Sequence, residues 1–259
     1  MHKKVVVIIP ARMASSRFPG KPLVKIAGLP MIEHVRRRAL LANGIKDVIV
    51  ATCDQEIFEV VQAFGGKVIM TADTHERSSE RVAEAMQFVK GDIVINAQGD
   101  EPLLLPENLE RVYSPFYEDE EVICVSLLSP LEMENDLTNS NVVKAACDIH
   151  GRVIYLSRAP IPYHMKEGNT PVYRETGIRA FRAEFLQTYI LLPETPFEKV
   201  ESVDMMRVIE HGYRIHSALA DSGTVGVDHP EDVALVEKYI GSDPVQIRLH
   251  KKITQEFDA

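Results

Sequence analysis

The chain lacks four features that would each assign it to a class of protein. Its 259 residues contain no apolar run near ~20 residues, the length that a membrane-spanning helix requires. Its nine histidines form no cluster with metal-ligand spacing, and its three cysteines are scattered without paired spacing. The apolar run that begins at Val5 is too short for a signal peptide. We therefore expect a cytoplasmic protein with reduced cysteines and no membrane span.

Acidic residues are missing before Glu33, although the whole chain carries a net charge of -9. That net charge argues against nucleic-acid binding. The strand-like run at 5–9 ends in small and turn-forming residues, and small residues let backbone N–H groups approach an anion closely. Ligands of open α/β sheets bind at the carboxyl ends of strands, so the segment predicts a site for a polyanion. A charged surface turn is the alternative, and the lack of any pairing carboxylate disfavours it. The cations of the segment are Arg12, Arg17, Lys21 and Lys25.

Strand-like and helix-like periods alternate over the first half of the chain. The apolar strands suit a parallel sheet that is buried on both faces. This alternation predicts a three-layer α/β/α fold with a mostly parallel sheet. The predicted strands are 5–9, 47–52, 67–70, 92–96 and 122–128, and the predicted helices are 31–43, 55–64, 79–89 and 106–113. Within the first helix, the run at 36–38 predicts a solvated arginine face.

The second half of the chain predicts a β-rich insertion at about 130–182. A hairpin is expected from 142–148 and 152–157, with a glycine in its turn. We expect one domain over 1–242, followed by a C-terminal tail at 243–259 with no evident packing partner. The other predicted elements are a strand at 177–182, helices at 183–191 and 198–210, a strand at 214–219 and a helix after Pro230.

Two aspartates follow predicted strands and are candidate metal ligands. Asp100 lies in NAQGDEP after the strand at 92–96, and Asp228 lies in GVDHPED before the last helix. Mg²⁺ is usually held by one or two carboxylates together with substrate phosphates. Each aspartate alone is equally compatible with a turn or a helix cap, and Asp228 has the spacing of an N-cap with Glu231 at the third helical position.

The cationic loop and the two strand-end carboxylates together indicate phosphoryl or nucleotidyl transfer. In-line displacement at phosphorus needs cations around the phosphates. The chain has no GxxxxGK[ST] loop and no GxGxxG fingerprint, so neither a Walker-type nucleotide hydrolase nor a dehydrogenase is indicated.

Four segments resemble the signature motifs of the CMP-Kdo synthetases, the 3-deoxy-manno-octulosonate cytidylyltransferases. They are IPARMASSRFPGKPL, NAQGDEP, SRAPIPY and GVDHPEDV, in the family's order and spacing. The resemblance covers about residues 4 to 240. It implies a nucleotide-diphospho-sugar transferase-like fold and a homodimer. It also implies CTP as donor, Mg²⁺ as cofactor, a sugar-acid acceptor and a role in lipopolysaccharide biosynthesis.

The resemblance also implies roles for individual residues. Arg12, Lys21, Asp100 and Asp228 would be catalytic, and the two aspartates would hold the metal. Nucleotide binding is implied for Pro10, Ala11, Arg12, Arg17, Lys21, Ser78, Ser79, Arg81 and Gln98. Acceptor binding is implied for Gln98, Arg158, Glu175, Arg179 and Asp204, with Arg158 suited to a carboxylate through a bidentate pair.

Departures from the family pattern concentrate where the acceptor is expected. Glu175, Arg179 and Met205 replace a histidine, a tyrosine and a glutamine. Glu175 either pairs with Arg179, four positions away on the same strand, or contacts an amino group on a modified 3-deoxy-2-ulosonic acid. Three hypotheses remain: transfer to Kdo or a close relative, transfer to an amino-substituted or other small acidic acceptor, or a catalytically silent nucleotide-binding paralogue.

Overall fold

A computed structural model describes residues 3–15, 17–131, 136–163, 165–166, 171–223, 225–255 and 257. The backbone contacts divide the chain into two compact units, which we call the first and the second unit. The first unit combines 1–110 with 224–259, and the second comprises 111–223. The insertion predicted at about 130–182 falls within the second unit, and its residues 132–135, 164 and 167–170 lie outside the described residues. None of the helices in the described ranges is both long and apolar enough to cross a membrane.

Strands and helices alternate along the chain as the periodicity predicts. The strands are β1 (Val5–Ala11), β2 (Lys25–Ile26), β3 (Leu29–Pro30), β4 (Asp47–Thr52), β5 (Lys67–Met70), β6 (Ile93–Asn96), β7 (Cys124–Pro130), β8 (Lys144–Cys147), β9 (Arg152–Ser157), β10 (Tyr173–Arg182) and β11 (Ile215–Leu219). The helices are α1 (Met31–Leu40), α2 (Gln55–Ala63), α3 (Ser78–Met86), α4 (Pro106–Tyr113), α5 (Pro115–Glu118), α6 (Ala183–Leu191), α7 (Pro196–Glu201), α8 (Met206–Glu210), α9 (Asp232–Ser242) and α10 (Pro244–Gln255).

The first unit contains four parallel strands in the order β5-β4-β1-β6. Val6, Val7, Ile8 and Ile9 of β1 are completely buried. A strand that is apolar at every position cannot leave one face in water, which is why the run forms a central parallel strand. The predicted alternation of parallel strands and helices is confirmed for this unit.

The second unit is antiparallel at most of its strand pairs. Its strands follow the order β10-β7-β11-β9-β8, and β8 also pairs with β10. Only β7 and β11 are parallel in this order. The hairpin is confirmed as β8 and β9, and Gly151 in its turn has a φ of 73°. The fold is therefore α/β with mixed pairing, and the expected predominance of parallel pairs is wrong.

Two local predictions are also wrong. The helix expected at 198–210 is two helices, α7 and α8, separated where Ser202 takes a left-handed conformation with a φ of 52°. The tail expected at 243–259 contains α10, which packs on α1.

The arginines expected on a solvated face of α1 are buried. Arg36 and Arg37 pair with Glu33, and Arg37 also donates to the Ile253 carbonyl oxygen at 2.7 Å. Arg38 donates to Gln246 Oε1 at 2.6 Å. The prediction fails because α10 covers Arg37 and Arg38, while Arg36 donates to the Phe64 carbonyl oxygen at 3.1 Å, just after α2.

Candidate functional site

The carboxyl ends of β1 and β6 lie together at one edge of the first unit's sheet. The strands are parallel neighbours, with Ile8 opposite Asn96. Gly99 permits the close approach that follows, because a Cβ atom there would lie 2.9 Å from the Pro10 carbonyl oxygen. Asp100 comes next along the chain. Its carbonyl oxygen accepts the N–H of Val227 at 2.9 Å, so the segment that contains Asp228 reaches the same edge.

The cationic segment after β1 is a closed loop. The N–H of Met13 donates to Asp54 Oδ2 at 2.7 Å, and the N–H of Gly20 donates to the Met13 carbonyl oxygen at 3.0 Å. Gly20 has a φ of 76°, a conformation that glycine adopts without strain. A single 3-10 turn at Lys21–Leu23 follows directly. The loop therefore fixes Lys21 beside the strand ends.

Lys21 lies among oxygen atoms from both aspartate segments. Its Nζ donates to Asp100 Oδ2 at 2.7 Å and to the Val227 carbonyl oxygen at 2.8 Å. Asp228 Oδ1 lies 3.8 Å from the same nitrogen and 2.8 Å from Arg17 Nη2. The lysine side chain is 13% exposed, whereas Asp100 is 36% exposed. Residues far apart in sequence thus form one compact cluster of two cations and two carboxylates.

Asp228 is not a helix cap, so that interpretation is wrong. The helix that follows it begins at Asp232. Asp232 Oδ2 accepts hydrogen bonds from the N–H groups of Asp228 at 2.8 Å and His229 at 2.7 Å. The side chain of Asp232 thus supplies the acceptor for the backbone N–H groups that precede the helix. The Asp228 carboxylate is left to face Arg17 and Lys21.

The cluster has the chemistry of a site for a hard cation. The oxygens around the Lys21 ammonium come from two carboxylates and one carbonyl, and oxygen ligands are the kind that Mg²⁺ prefers. In the described part of the chain, no group of three or more His, Cys, Asp or Glu side chains is arranged to hold a metal. A divalent ion held by Asp100 and Asp228 would therefore need further oxygens from a ligand.

The start of α3 forms another part of the site. Asn96 at the end of β6 donates from Nδ2 to Ser78 Oγ at 3.2 Å. Arg81 is buried and is hydrogen-bonded to Thr71 Oγ1 and, at 3.2 Å, to the Ala72 carbonyl oxygen. Glu80 caps this helix by accepting the N–H of Arg77 at 3.1 Å.

These segments enclose a cavity of about 310 Å³, within the range of small-molecule sites. The predicted site residues that line it are Pro10, Ala11, Arg12, Arg17, Lys21, Ser78, Arg81, Gln98, Asp100 and Asp228. Ser79 is buried in the first turn of α3 and does not line it. Lys25 is exposed in β2, away from the lining.

The sequence reasoning missed several residues of this cavity. They are Ala14, Ser15, Pro22, Met31, His75, Glu76, Arg77 and Gly99. The signal for the three residues at 75–77 was their place just before a helix that follows a parallel strand. Such loops lie at the same edge as the other strand ends.

The remaining predicted residues lie in the second unit. Arg179 donates to Glu175 Oε1 at 3.0 Å and to both Asp204 oxygens, at 2.8 and 2.9 Å. Ser126 Oγ adds a bond of 3.3 Å to Glu175. Burial lowers the pKa of Arg179, but the carboxylates of Asp204 and Glu175 outweigh it and raise that pKa. The expected pairing of Glu175 with Arg179 is confirmed.

Arg158 is held by backbone carbonyl groups. Its Nε donates to the Glu201 carbonyl oxygen at 2.7 Å, and its Nη1 and Nη2 donate to those of Ser140 and Ser202, at 2.9 and 3.3 Å. A guanidinium has five N–H donors, and the described part of the chain supplies acceptors for three of them.

A family model, curated relatives and a solved structure all match this chain over most of its length. A family described as cytidylyltransferase matches residues 6–215. A 3-deoxy-manno-octulosonate cytidylyltransferase of Acaryochloris marina (strain MBIC 11017) is 40% identical over 237 residues, 91% of this chain and 97% of the relative. One of Pseudoalteromonas translucida (strain TAC 125) is 43% identical over 249 residues, 92% of this chain and 98% of the relative. A solved CMP:2-keto-3-deoxy-manno-octonic acid synthetase complexed with CTP has a TM-score of 0.88 at 37% identity, over 93% of this chain and 99% of that one.

Proposed function

The chain belongs to the cytidylyltransferase family, among the 3-deoxy-manno-octulosonate cytidylyltransferases, and we propose that it activates such a sugar acid with CTP. The products would be the CMP-sugar and pyrophosphate. The observation that carries the proposal is that the same cavity is lined by Arg12, Arg17, Lys21, Asp100 and Asp228. A silent paralogue would be expected to have lost one of these charges, and none is lost.

The cations of the cavity suit the charge of a nucleoside triphosphate. Arg12, Arg17 and Lys21 would bind the phosphate oxygens and orient the α-phosphorus. The anomeric hydroxyl of the acceptor attacks that phosphorus, its proton is released, and the bond to the β-phosphate oxygen breaks. Negative charge grows on the leaving pyrophosphate, and a fixed ammonium stabilises it more in the transition state than in the ground state.

Asp100 and Asp228 fit the metal that this chemistry uses. Their oxygens already surround a positive charge, the Lys21 ammonium. Mg²⁺ held by the two carboxylates and the triphosphate would neutralise charge on the phosphates. Lys21 and Arg17 would then exchange their aspartate contacts for phosphate oxygens. The Arg17–Asp228 pair is about half exposed, so breaking that contact costs little.

Nucleotide selectivity tests the proposal directly. Calorimetry with CTP, UTP and ATP should show the tightest binding for CTP, and stronger binding with Mg²⁺ than without it. Equal affinity for all three nucleotides, indifferent to the metal, would overturn the proposal.

The contacts within the second unit support a proposed acceptor role for Arg158, Glu175, Arg179 and Asp204, and the family resemblance alone supports one for Gln98. The two Arg158 N–H donors that have no acceptor among the described residues suit the carboxylate of a sugar acid. One further observation favours a second candidate, an amino-substituted acceptor. Glu175 is a carboxylate where the family pattern has a histidine, and a carboxylate suits an ammonium group on the acceptor.

Replacement of Glu175 separates the two acceptors. If Glu175 binds an amino group of the acceptor, Glu175→His should raise kcat/KM for Kdo relative to kcat/KM for the amino-substituted analogue. A site built around a hydrogen-bonded group discriminates strongly against a substrate that lacks it. An unchanged ratio, in a folded variant that still binds CTP, would show that Glu175 does not read the acceptor.

Three further properties remain proposals. The parallel order of the first unit supports a three-layer α/β/α arrangement around the nucleotide. The free state of Cys53, Cys124 and Cys147 supports a reducing, cytoplasmic location. A homodimer is proposed from the family resemblance.

A further inference from the structure

The loop between β5 and α3 forms one wall of the cavity. It contributes His75, Glu76 and Arg77, and Ser78 follows as the first residue of α3. Residues 71–77 contain no helix or strand. Regular backbone hydrogen bonding therefore does not hold this loop, and its position depends on side-chain contacts.

Two carboxylates one turn apart on α3 hold the backbone of the loop. Glu80 Oε2 accepts the N–H groups of Glu76 at 3.0 Å and Arg77 at 3.1 Å. Glu84 Oε2 accepts the N–H of Ala72 at 2.9 Å. One carboxylate thus holds the end of the loop, and the other holds its beginning.

His75 connects these two carboxylates. Its Nε2 is hydrogen-bonded to Glu84 Oε2, and its Nδ1 lies 4.0 Å from Glu80 Oε2. Burial raises the pKa of Glu84, but hydrogen bonds from His75 and the Ala72 N–H outweigh it and hold that pKa below its usual value. Glu84 is therefore ionised at neutral pH and only accepts, so the imidazole must donate its Nε2 proton.

We propose that His75 is a positioning residue for nucleotide binding, which with Glu84 fixes the loop that presents Arg77 and Ser78 to the cavity. The inference rests on the proposed function, because it takes the ligand of the cavity to be CTP. His75 acts here on the shape of the binding wall and not at the phosphorus atom. An interaction that is equal in the ground state and the transition state changes KM and leaves kcat unchanged.

The test compares the parent protein with His75→Ala, His75→Gln and a control. Calorimetry gives the Kd for CTP, and steady-state kinetics give KM and kcat. His75→Ala should raise Kd and KM about tenfold, the size expected for one lost hydrogen bond, with kcat within about twofold. His75→Gln should stay within about threefold of the parent in Kd and KM, because its amide N–H can still donate to Glu84. The control is His150→Ala, an exposed histidine in the β8–β9 turn, and it should change nothing.

Three results would overturn the inference. The first is a folded His75→Ala protein with the parent's Kd and KM. The second is a fall in kcat at unchanged KM, which would place His75 in the chemical step. The third is equal impairment of the Gln and Ala variants, which would mean that the hydrogen bond to Glu84 is not what matters. A parent protein that fails to bind CTP would instead overturn the proposed function, and this inference with it.

Discussion

Lys21 has the contacts of a cation held inside a site, and not those of a surface lysine. Its ammonium is bonded to Asp100 and to the Val227 carbonyl oxygen, and it is mostly shielded from water. Lys25, four residues later, is exposed in β2. The two lysines lie in the same acid-free segment of sequence, so only the fold distinguishes them.

Replacement of Lys21 should therefore affect catalysis and not folding. Lys21→Ala should lower kcat on the order of 100-fold, because an ammonium at the transferring phosphates acts mostly in the transition state. Lys25→Ala is the matched control and should stay within about twofold. Steady-state kinetics with CTP and the sugar acid measure both. A loss of only a few-fold in a folded Lys21→Ala protein would remove this residue from the mechanism.

The sequence predicts the charged residues of the cavity and misses contacts that depend on tertiary structure. Arg12, Lys21 and Asp100 follow strands in ways that spacing alone detects. The backbone contacts of Arg158 are invisible to spacing, because their partners, such as Ser140 and Ser202, are remote in sequence. The role of Asp228 was ambiguous for a similar reason, since only the contacts of Asp232 exclude the cap.

At the scale of elements, α10 buries groups on α1 that the sequence predicts to be exposed. It packs on α1, where Arg38 bonds to Gln246 and the rings of His34 and His250 stack with centroids 5.5 Å apart. His34 is completely buried, and its Nε2 bonds to the Ile26 carbonyl oxygen at 2.7 Å. Burial, with smaller effects of nearby cations, lowers the pKa of His34 from 6.5 to about 4.

This histidine makes the first unit sensitive to acid. The folded state keeps His34 neutral, whereas the unfolded chain takes up a proton near pH 6.5, so stability is lost as pH falls from 6.5 toward 4. Between pH 7 and pH 5 the loss from this residue should be about 2 kcal/mol. The free energy of unfolding, measured in urea at pH 7 and at pH 5, should therefore differ less in His34→Gln than in the parent protein, by about that amount.

The exposed His150 provides the comparison for this measurement. His150→Gln should keep the pH dependence of the parent protein. Equal pH dependence in His34→Gln and the parent would contradict a buried, neutral His34.

The sequence pattern could not reveal this packing. The buried residues of α10 are Gln246, Leu249 and Ile253, at helical spacing, but only two of the three are apolar. The arginines that α10 covers on α1 are also of the type that usually stays in water. The sequence therefore predicts that α10 and the arginine face of α1 are exposed to solvent, although in the structure they cover each other.

Over the whole molecule, distant segments of sequence meet at one edge of a parallel sheet. Lys21, Asp100 and Asp228 come from three segments that are separated by most of the chain. Adjacent parallel strands explain the meeting of the first two, and the Val227–Asp100 hydrogen bond explains the third. Apolar runs predicted the strands of the first half and their parallel pairing, but not their spatial order. In the second unit the β8–β9 hairpin was predicted, whereas the antiparallel pairing of β7 with β10 was not, because these two strands are remote in sequence.

The most direct test of the central claim is release of pyrophosphate from CTP in the presence of candidate acceptors. Purified protein with Mg²⁺ should release pyrophosphate with 3-deoxy-manno-octulosonate or its amino-substituted analogue, and mass spectrometry should find the matching CMP-sugar. Asp100→Asn should abolish the release. No release with any 3-deoxy-2-ulosonic acid, from a folded protein that binds CTP, would contradict the proposed cytidylyl transfer.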